Sequence, residues 1–283
     1  MIIDAHQHFW LLERGDYDWL TPDLAPLYRD FLPGDLHPIR ERVGIAGTIL
    51  VQAAATEEET RFCFALARSN PEILGVTGWA DFEAPDFAHR LDALIADGGG
   101  LLKALRPMIQ DIPDPDWVSG TKLDSAFAAV ADRGLLFEAL VKPQHLRPLT
   151  DRLARQAEIA CVIDHCAKPR IANRELDEWQ RGMQGLAALP QVVGVKLSGL
   201  LTEAATADGV DALRPYVDAA AEAFGTDRLI WGSDWPVLTL AASYEQWFAM
   251  ANELLAGFSV EERGAIFGGN AMRIYNIEPE VKP

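Results

Sequence analysis

The chain has 283 residues, and its 25 lysines and arginines against 42 aspartates and glutamates give a formal net charge of −17. With 49% hydrophobic and 24% charged residues, the composition is that of a globular protein and excludes a disordered or fibrous chain. Binding to nucleic acid without sequence preference, or to anionic membranes, needs clustered lysine and arginine, so both are disfavoured. We therefore expect a small-molecule partner.

The first residues and the cysteines indicate a cytoplasmic protein. Residues 1–4 lack the basic and apolar regions of a secretory signal, and no apolar run approaches the roughly 20 residues of a membrane span. The chain has three cysteines, Cys63, Cys161 and Cys166, an odd number without the spacing of a zinc knuckle. We interpret them as small buried hydrophobes.

Eight short apolar segments recur along the chain, each separated from the next by polar or helical sequence. Most are apolar on both faces, as expected for strands of a parallel sheet covered by helices. The predicted strands are Ile2–Ala5, Ala46–Ala53, Ile73–Ala80, Leu101–Arg106, Leu135–Val141, Cys161–Asp164, Val192–Leu197 and Leu229–Gly232.

Segments whose apolar residues have helical spacing lie between many of these strands. The predicted helices are Thr56–Asn70, Lys122–Arg133, Pro148–Glu158, Arg174–Leu189, Val210–Phe224 and Tyr244–Leu255. Pro215 predicts either a kink in the fifth helix or a start nearer Arg214. The repeated alternation favours a (β/α)8 TIM barrel over a doubly wound sheet, formed as one domain over residues 1–283.

Two long segments interrupt the alternation. Phe9–Pro38 follows the first strand and is rich in tryptophan, tyrosine, aspartate and proline, and Gln110–Gly120 follows the fourth strand. In a barrel, loops that follow strands lie over the active-site face. We expect the first segment to form a lid or a wall of the pocket.

The strongest candidate residues are His6 and His8, at the end of the first predicted strand. In an extended segment, residues two apart project to the same side, so both imidazoles can enter one cavity. Two imidazoles on one face can hold a divalent metal or polarise a carbonyl group.

Polar side chains also follow the sixth and eighth strands. His165 could donate to a substrate oxygen or move a proton, and Lys168 could hold a hydroxyl or carboxylate, or reach solvent. Asp234 lies between two tryptophans after the eighth strand. It could bind a metal, activate water as a general base, or cap the following helix.

Weaker candidates lie on the other strands. Arg106 could anchor a substrate oxygen through a bidentate bond or pair with an acid. Glu138 is a charge in an apolar strand, so it faces the barrel mouth or has a buried partner. Other polar residues of these strands are Gln52, Lys103, Lys196 and Ser198, and the histidines interpreted as background are His37, His89 and His145.

Several other chemistries lack their motifs. The sequence has no G-x-S-x-G nucleophile elbow, no P-loop, and no G-x-G-x-x-G after a strand. Three histidines and one aspartate at separate strand ends indicate hydrolysis by an activated water.

Together these residues resemble the amidohydrolase superfamily. The C-terminal string Gly269-Asn270-Ala271-Met272-Arg273-Ile274-Tyr275 is similar to the closing helix of its amidohydrolase-2 branch. The strings at 3–10, 14–20 and 164–169 resemble the sugar-lactone lactonases of that branch, of the L-fuconolactonase and L-rhamnonolactonase type.

The resemblance implies a distorted barrel that opens an aldonic-acid lactone, such as L-fucono-1,5-lactone or L-rhamnono-1,4-lactone. It implies Asp234 as the base that activates water, with His6, His8 and His165 around the carbonyl. The residues implied to bind substrate are Arg106, Lys168, Trp10 and Trp19. Gln52 and Glu138, from their places on the predicted strands, are two further candidates for substrate binding.

The resemblance leaves the need for metal open. A single zinc held by His6, His8 and Asp234, with help from His165, is one alternative, and metal-independent hydrolysis is the other. A binuclear site is disfavoured, because the fifth strand offers Glu138 in place of a bridging ligand. Two other functions are retained: a dicarboxylate lactonase or nonoxidative decarboxylase of the same branch, and a non-catalytic sugar-binding barrel.

Overall fold

The computed structural model describes residues 1–205 and 208–278. Eight parallel strands pair in chain order as one sheet. They are β1 Ile2–Gln7, β2 Ile45–Val51, β3 Ile73–Gly78, β4 Leu102–Leu105, β5 Leu136–Ala139, β6 Ala160–Ile163, β7 Val192–Leu197 and β8 Leu229–Trp231. Helices lie between them, so the predicted (β/α)8 barrel is confirmed.

The sheet closes on itself just beyond the end of β8. Gln7 of β1 forms a parallel bridge with Trp235. The Asp234 N–H donates to the His6 carbonyl oxygen, and the His8 N–H donates to the Trp235 carbonyl oxygen, each over 2.7 Å. The seam of the barrel therefore runs between the two segments that carry the strongest candidate residues.

The helices cover the outside of the barrel. They are α1 Pro33–Val43, α2 Glu57–Ser69, α3 Phe87–Gly98, α4 Asp124–Asp132, α5 Leu146–Arg155, α6 Asp177–Ala187, α7 Val210–Phe224, α8 Tyr244–Leu254, α9 Val260–Gly264 and α10 Asn270–Ile274. No helix in the described ranges is both long and apolar enough to cross a membrane.

Some helix predictions need correction. Helix α1 begins at Pro33, inside the predicted loop, and Leu36 is its one buried residue, so its apolar stripe is weak. Helix α3 lies outside the predicted set although it buries Phe87, Leu91 and Leu94 on one face. Pro215 lies within α7, which begins at Val210, so the alternative start near Arg214 is wrong.

The barrel interior is apolar at its lower end. Ile3, Ile49, Val162 and Ile230 pack there together with Tyr275, which directly follows α10. The C-terminal helix thus closes the end of the barrel opposite the loops that follow the strands. The three cysteines are free and buried, which confirms their interpretation as buried hydrophobes.

The predicted lid segment is held down by polar bonds to its neighbours. The Tyr17 hydroxyl donates to Glu59 Oε2 over 2.9 Å, and the Trp19 indole N–H donates to the Ala53 carbonyl oxygen over 2.7 Å. Arg14 pairs with Asp16 over 2.6 Å. The bonds of Tyr17 and Trp19 fix the segment between β1 and α1 against α2 and the turn that precedes α2. The pair of Arg14 and Asp16 lies within the segment.

Candidate active site

Three imidazoles and one carboxylate meet at the upper end of the barrel. His6 Nε2 lies 3.1 Å from His8 Nε2. Asp234 Oδ1 lies 3.3 Å from His8 Nε2, 3.7 Å from His6 Nε2 and 3.9 Å from His165 Nε2. All four side chains are buried. The structure therefore brings together the four residues that the sequence predicts as catalytic.

Asp4 holds the two sides of this site together from below. Its carboxylate accepts bonds from the Ser233 N–H over 2.8 Å, the Ser233 hydroxyl over 2.6 Å and the Tyr244 hydroxyl over 2.8 Å. Asp4 is two residues before His6 on β1, and Ser233 directly precedes Asp234. The bonds thus fix β1 against the turn that carries the carboxylate.

The backbone around His165 is strained. His165, Cys166, Ala167 and Lys168 all have left-handed φ angles between 49° and 58°, a conformation that costs free energy in residues with a Cβ. The Trp179 indole N–H donates to the Cys166 carbonyl oxygen over 2.7 Å and secures this turn. Such strain persists only where the surroundings determine the conformation, as at functional sites.

The ring of His165 rests on the loop after β7. Its Nδ1 lies 2.9 Å from Ser198 Oγ. Gly199 adjoins the ring so closely that a Cβ there would lie 2.6 Å from His165 Nδ1. Ser198 and Gly199 therefore hold the ring with its Nε2 toward Asp234.

A cavity of about 160 Å³ opens above the four residues. Its wall combines apolar and polar side chains: His8, Trp19, Ala53, Arg106, Met108, Gln110, Asp111, Leu140, His165, Lys168, Asp234 and Val237. Arg106, Lys168 and Trp19, three of the predicted substrate-binding residues, are among them. Lys168 Nζ pairs with Glu203 Oε1 over 2.7 Å.

The other three predicted substrate-binding residues do not line the cavity, and this corrects their predicted role. Trp10 is fully buried behind Trp19, with ring centroids 5.3 Å apart. The Gln52 side chain donates to the Arg106 carbonyl oxygen over 2.9 Å. Glu138 is fully buried and accepts from Lys196 over 2.6 Å. Each of the three side chains lies behind the cavity wall, where it contacts another buried residue and cannot reach the substrate.

The remaining histidines and Lys103 lie away from the cavity. His37 and His89 are exposed, and His145 Nδ1 accepts the Lys142 N–H over 3.0 Å at a helix start. Lys103 Nζ lies 3.4 Å from the Asn276 carbonyl oxygen, near the closed end of the barrel. The interpretation of the three histidines as background agrees with these positions.

Asp164 is a site residue that received no role from the sequence. It is fully buried, with Oδ2 3.4 Å from Arg106 Nη1 and Oδ1 3.0 Å from Lys196 Nζ. Burial tends to raise the pKa of this carboxyl, but Lys196, His6 and Arg106 together hold the pKa well below its ordinary value. Its position before His165, at the end of an apolar strand, is the signal that could have revealed it.

Protonation at neutral pH follows from burial and the short distances. Burial lowers the pKa of His165 to about 4, against the opposing effect of Asp234. Burial and the charge of Lys196 also hold the pKa of His6 well below its ordinary value. Burial tends to raise the pKa of Asp234, but the three imidazoles outweigh it and lower the pKa. The site therefore holds an ionised carboxylate beside neutral His6 and His165.

The spacing of the donor atoms fits one divalent metal. His6 Nε2, His8 Nε2 and Asp234 Oδ1 are 3.1 to 3.7 Å apart. Tetrahedral zinc with bonds of about 2.0–2.2 Å separates its ligands by roughly 3.3–3.5 Å. His8 Nδ1 donates to the Val51 carbonyl oxygen over 2.7 Å, which leaves the Nε2 lone pair directed at the site.

A second group of potential metal ligands is already occupied. In the described ranges, His6, Glu138 and Asp164 also bring donor atoms close together. Lys196 Nζ lies among them, 3.1 Å from His6 Nδ1 and 2.6 Å from Glu138 Oε2. An ammonium group there leaves no room for a second metal ion beside it.

Comparison with known proteins identifies the family. The sequence profile of the amidohydrolase family matches residues 3–277. The chain belongs to the amidohydrolase family. It is 40% identical to an L-fucono-1,5-lactonase of Burkholderia ambifaria over 98% of this chain and 96% of the relative. It is 36% identical to an L-fucono-1,5-lactonase of Burkholderia multivorans over 96% of this chain and 95% of the relative.

Solved structures support the same assignment. An amidohydrolase from Burkholderia multivorans, crystallised with bound zinc, matches this amidohydrolase with a TM-score of 0.92 and 35% identity. The match covers 98% of this chain and 100% of the other. The predicted resemblance and the predicted enzyme class, a lactone hydrolase, are confirmed by these relatives.

Proposed function

We propose that this amidohydrolase opens the lactone ring of an aldonic acid, with L-fucono-1,5-lactone as the first candidate and L-rhamnono-1,4-lactone as the second. The observation that carries the proposal is the Asp234 carboxylate, within 4 Å of three imidazoles, at the base of a small cavity with apolar and polar walls. The names of the two Burkholderia relatives support the choice of lactone.

The proposed reaction begins with water held beside Asp234. The Asp234 carboxylate takes one proton while the water oxygen bonds to the lactone carbonyl carbon. Negative charge then develops on the carbonyl oxygen. There Arg106 provides positive charge, and the neutral imidazoles of His6 and His165 provide N–H donors.

Ring opening completes the reaction. The bond between the carbonyl carbon and the ring oxygen breaks, and the proton held by Asp234 passes to that oxygen. The product is an open-chain acid with one new hydroxyl group. Its carboxyl group loses a proton to the medium, so each turnover releases one acid equivalent at neutral pH.

A metal can assist this chemistry. His6, His8 and Asp234 would hold a single divalent ion, as their spacing allows. When bound, such an ion would take the Nε2 lone pair of His6 in place of its N–H, polarise a carbonyl group and make water more acidic. The residues of the chain still position the substrate and move the proton.

The charges around the cavity favour a neutral substrate. Lys168 is paired with Glu203, and Arg106 faces Asp164, so neither cation is free to balance a second carboxylate on the substrate. A dicarboxylate lactone would also meet Asp111 and Asp234 in the cavity wall. Neutral sugar lactones meet no such repulsion.

A panel of lactones tests the proposal. Purified protein is offered L-fucono-, L-rhamnono- and other aldonolactones and one dicarboxylate lactone, and acid release is followed at constant pH. We expect the fastest release with a 6-deoxy aldonolactone. Release from the dicarboxylate alone would favour the other branch of the family. Binding of aldonolactones without acid release would indicate a sugar-binding barrel and would overturn the proposal.

A further inference from the structure

Lys196 is a fully buried lysine directly beneath the catalytic imidazoles. It is on β7, and its side chain has no exposed surface. Its Nζ lies 2.6 Å from Glu138 Oε2, 3.0 Å from Asp164 Oδ1 and 3.1 Å from His6 Nδ1. An ammonium group has three N–H donors and no acceptor, so Lys196 donates to Glu138 Oε2 and His6 Nδ1 and forms an ion pair with Asp164.

The two carboxylates hold this ammonium in place. Glu138 Oε1 accepts separately from the Tyr275 hydroxyl over 2.6 Å and the Thr77 hydroxyl over 2.7 Å. Asp164 faces Arg106 with its other oxygen. Negative and positive groups thus alternate from Glu138 through Lys196 and Asp164 to Arg106, and the buried charges balance.

The contact with Lys196 determines which nitrogen of His6 carries the proton. His6 Nδ1 lies 3.5 Å from Asp164 Oδ1 but only 3.1 Å from Lys196 Nζ. Since the ammonium can only donate, His6 Nδ1 is the acceptor of this shorter bond. In a neutral imidazole the other nitrogen then carries the hydrogen. The His6 proton is therefore on Nε2, the nitrogen that faces His8, Arg106 and Asp234.

His8 gives independent support for this tautomer. The Val51 carbonyl oxygen can only accept, so His8 carries its proton on Nδ1 and has a lone pair on Nε2. With no metal ion between the rings, the 3.1 Å from His6 Nε2 to that lone pair makes His6 the donor. Arg106 Nη1, also a donor, lies farther from the same nitrogen, at 3.4 Å, so the assignment follows the shortest contact on each side of the His6 ring.

We propose that Lys196 is the positioning residue of His6, which it fixes, in the site without a metal ion, as an N–H donor aimed at the carbonyl oxygen of the lactone. This inference rests on the proposed function for the identity of the acceptor. Lys196 does not line the substrate cavity, and His6 is the one member of the proposed catalytic set that it contacts directly. It occupies the place that a second metal ion would otherwise hold among His6, Glu138 and Asp164.

The first test needs no variant. The protein is treated with a chelator and labelled with ¹⁵N-histidine, and long-range ¹H–¹⁵N correlation spectra report the protonated nitrogen of each ring. His6→Gln identifies the signal of His6. We expect protonation on Nε2 for His6 and on Nδ1 for His8. Protonation of His6 on Nδ1 would overturn the proposal, whatever lactone the enzyme hydrolyses.

The second test removes the ammonium. Lys196→Met keeps the length of the side chain but not its charge, and we expect a fall in kcat of roughly 10²-fold with little change in KM, the effect of losing one oxyanion donor. The double variant Lys196→Met/Glu138→Gln keeps the buried charge balanced if the single variant does not fold. An activity within threefold of the parent enzyme in either folded variant would contradict the role.

Chemical rescue separates positioning from general damage. Lys196→Ala leaves a space that methylammonium can enter, and we expect added methylammonium to restore kcat at least tenfold. Failure of rescue in a folded Lys196→Ala variant would argue against an ammonium as the acting group. Lys103→Met, on β4 near the closed end of the barrel, is the matched control and should keep the parent rate. The spectra remain informative even if no lactone is hydrolysed, so failure of this proposal and of the proposed function can be told apart.

Discussion

Asp234 combines a buried carboxylate with a left-handed backbone, φ 59°, at the seam of the barrel. Its N–H is bonded to the His6 carbonyl oxygen, so its backbone is fixed by the same strand that carries two of the imidazoles. In the proposed reaction, a base held in this way reaches water with little loss of side-chain freedom, which is the advantage of preorganised catalytic groups.

Replacing Asp234 by asparagine should abolish turnover without unfolding the protein. The amide keeps the size of the side chain but cannot accept a proton from water, so we expect kcat to fall by roughly 10³-fold or more. Acid release and circular dichroism measure the two effects. Asp86→Asn, on the exposed surface, is the control. A near-parental rate in Asp234→Asn would remove Asp234 from the role of base.

Gly199 should tolerate no side chain, because a Cβ would collide with the ring of His165. The residue also has a φ of 63°, which a side chain disfavours. We expect Gly199→Ala to destabilise the fold by about 1–3 kcal/mol and to lower kcat, since His165 must move. Urea unfolding and lactone assays measure both effects.

Gly185 provides the matched control for that substitution. It lies within α6, and a Cβ there would meet nothing within 4 Å. Gly185→Ala should therefore stabilise the fold by roughly 0.5–1 kcal/mol and leave activity unchanged. Equal effects of the two substitutions would show that the contact with His165 is unimportant.

At the scale of single residues, the sequence revealed the site in part. His6, His8, His165 and Asp234 could be predicted because polar side chains at the ends of apolar strands converge in a barrel. Trp10 and Trp19 could not be distinguished, because only the packing of the loop shows which tryptophan faces the cavity. The link between Lys196 and Asp164 depends on depth inside the barrel, which strand position alone does not give.

Among the elements, the segment between β1 and α1 is the one most clearly adapted to the site. It places Trp19 in the cavity wall, and its Tyr17 is bonded to Glu59 of α2. Burial raises the pKa of Glu59 to about 7, although the Ala53 N–H, Tyr17 and Arg14 act to lower it. The anchor of this segment is therefore sensitive to pH.

The sign of that sensitivity can be measured. Because the pKa of Glu59 is higher in the folded protein than in the unfolded chain, its contribution to stability is full below pH 4.5 and is lost as the pH rises through about 7. The change is on the order of 3 kcal/mol. Urea unfolding at the acid and alkaline ends of this pH range should show a smaller loss of unfolding free energy for Glu59→Gln than for the parent protein. Glu58→Gln, exposed on the same helix turn, should keep the parental pH dependence, and identical profiles for all three proteins would refute the assignment.

The strands were easier to predict than the helices. The strands are mostly apolar, because both of their faces are buried, and polar exceptions such as His6, Glu138 and Lys196 are few. Helix α1 instead depends on Pro33 at its start and on the strand beneath it, and its single buried residue gives almost no periodic signal. The long segment after β1 was predictable as an interruption, but its bonds to α2 were not.

For the molecule as a whole, the charge of −17 has a kinetic consequence. A neutral lactone does not feel this field, so kcat/KM should change little between about 0.01 and 1 M salt, where the Debye length falls from roughly 30 to 3 Å. A dicarboxylate substrate would instead be repelled, and its kcat/KM should rise with salt. Rates measured across this range with both substrates distinguish the two cases. A steep salt dependence for the neutral lactone would contradict its proposed identity.

The seam between β8 and β1 links catalysis to the integrity of the fold. The bonds from Asp234 to His6 and from His8 to Trp235 complete the ring of strands and, at the same time, set the separation of the base from its imidazoles. A partly opened barrel would retain most of its helices and much of its core, yet its reactive groups would stand apart. The enzymatic rate therefore reports whether the ring of strands is closed. On gentle heating, activity should be lost at a lower temperature than the circular dichroism signal of the helices.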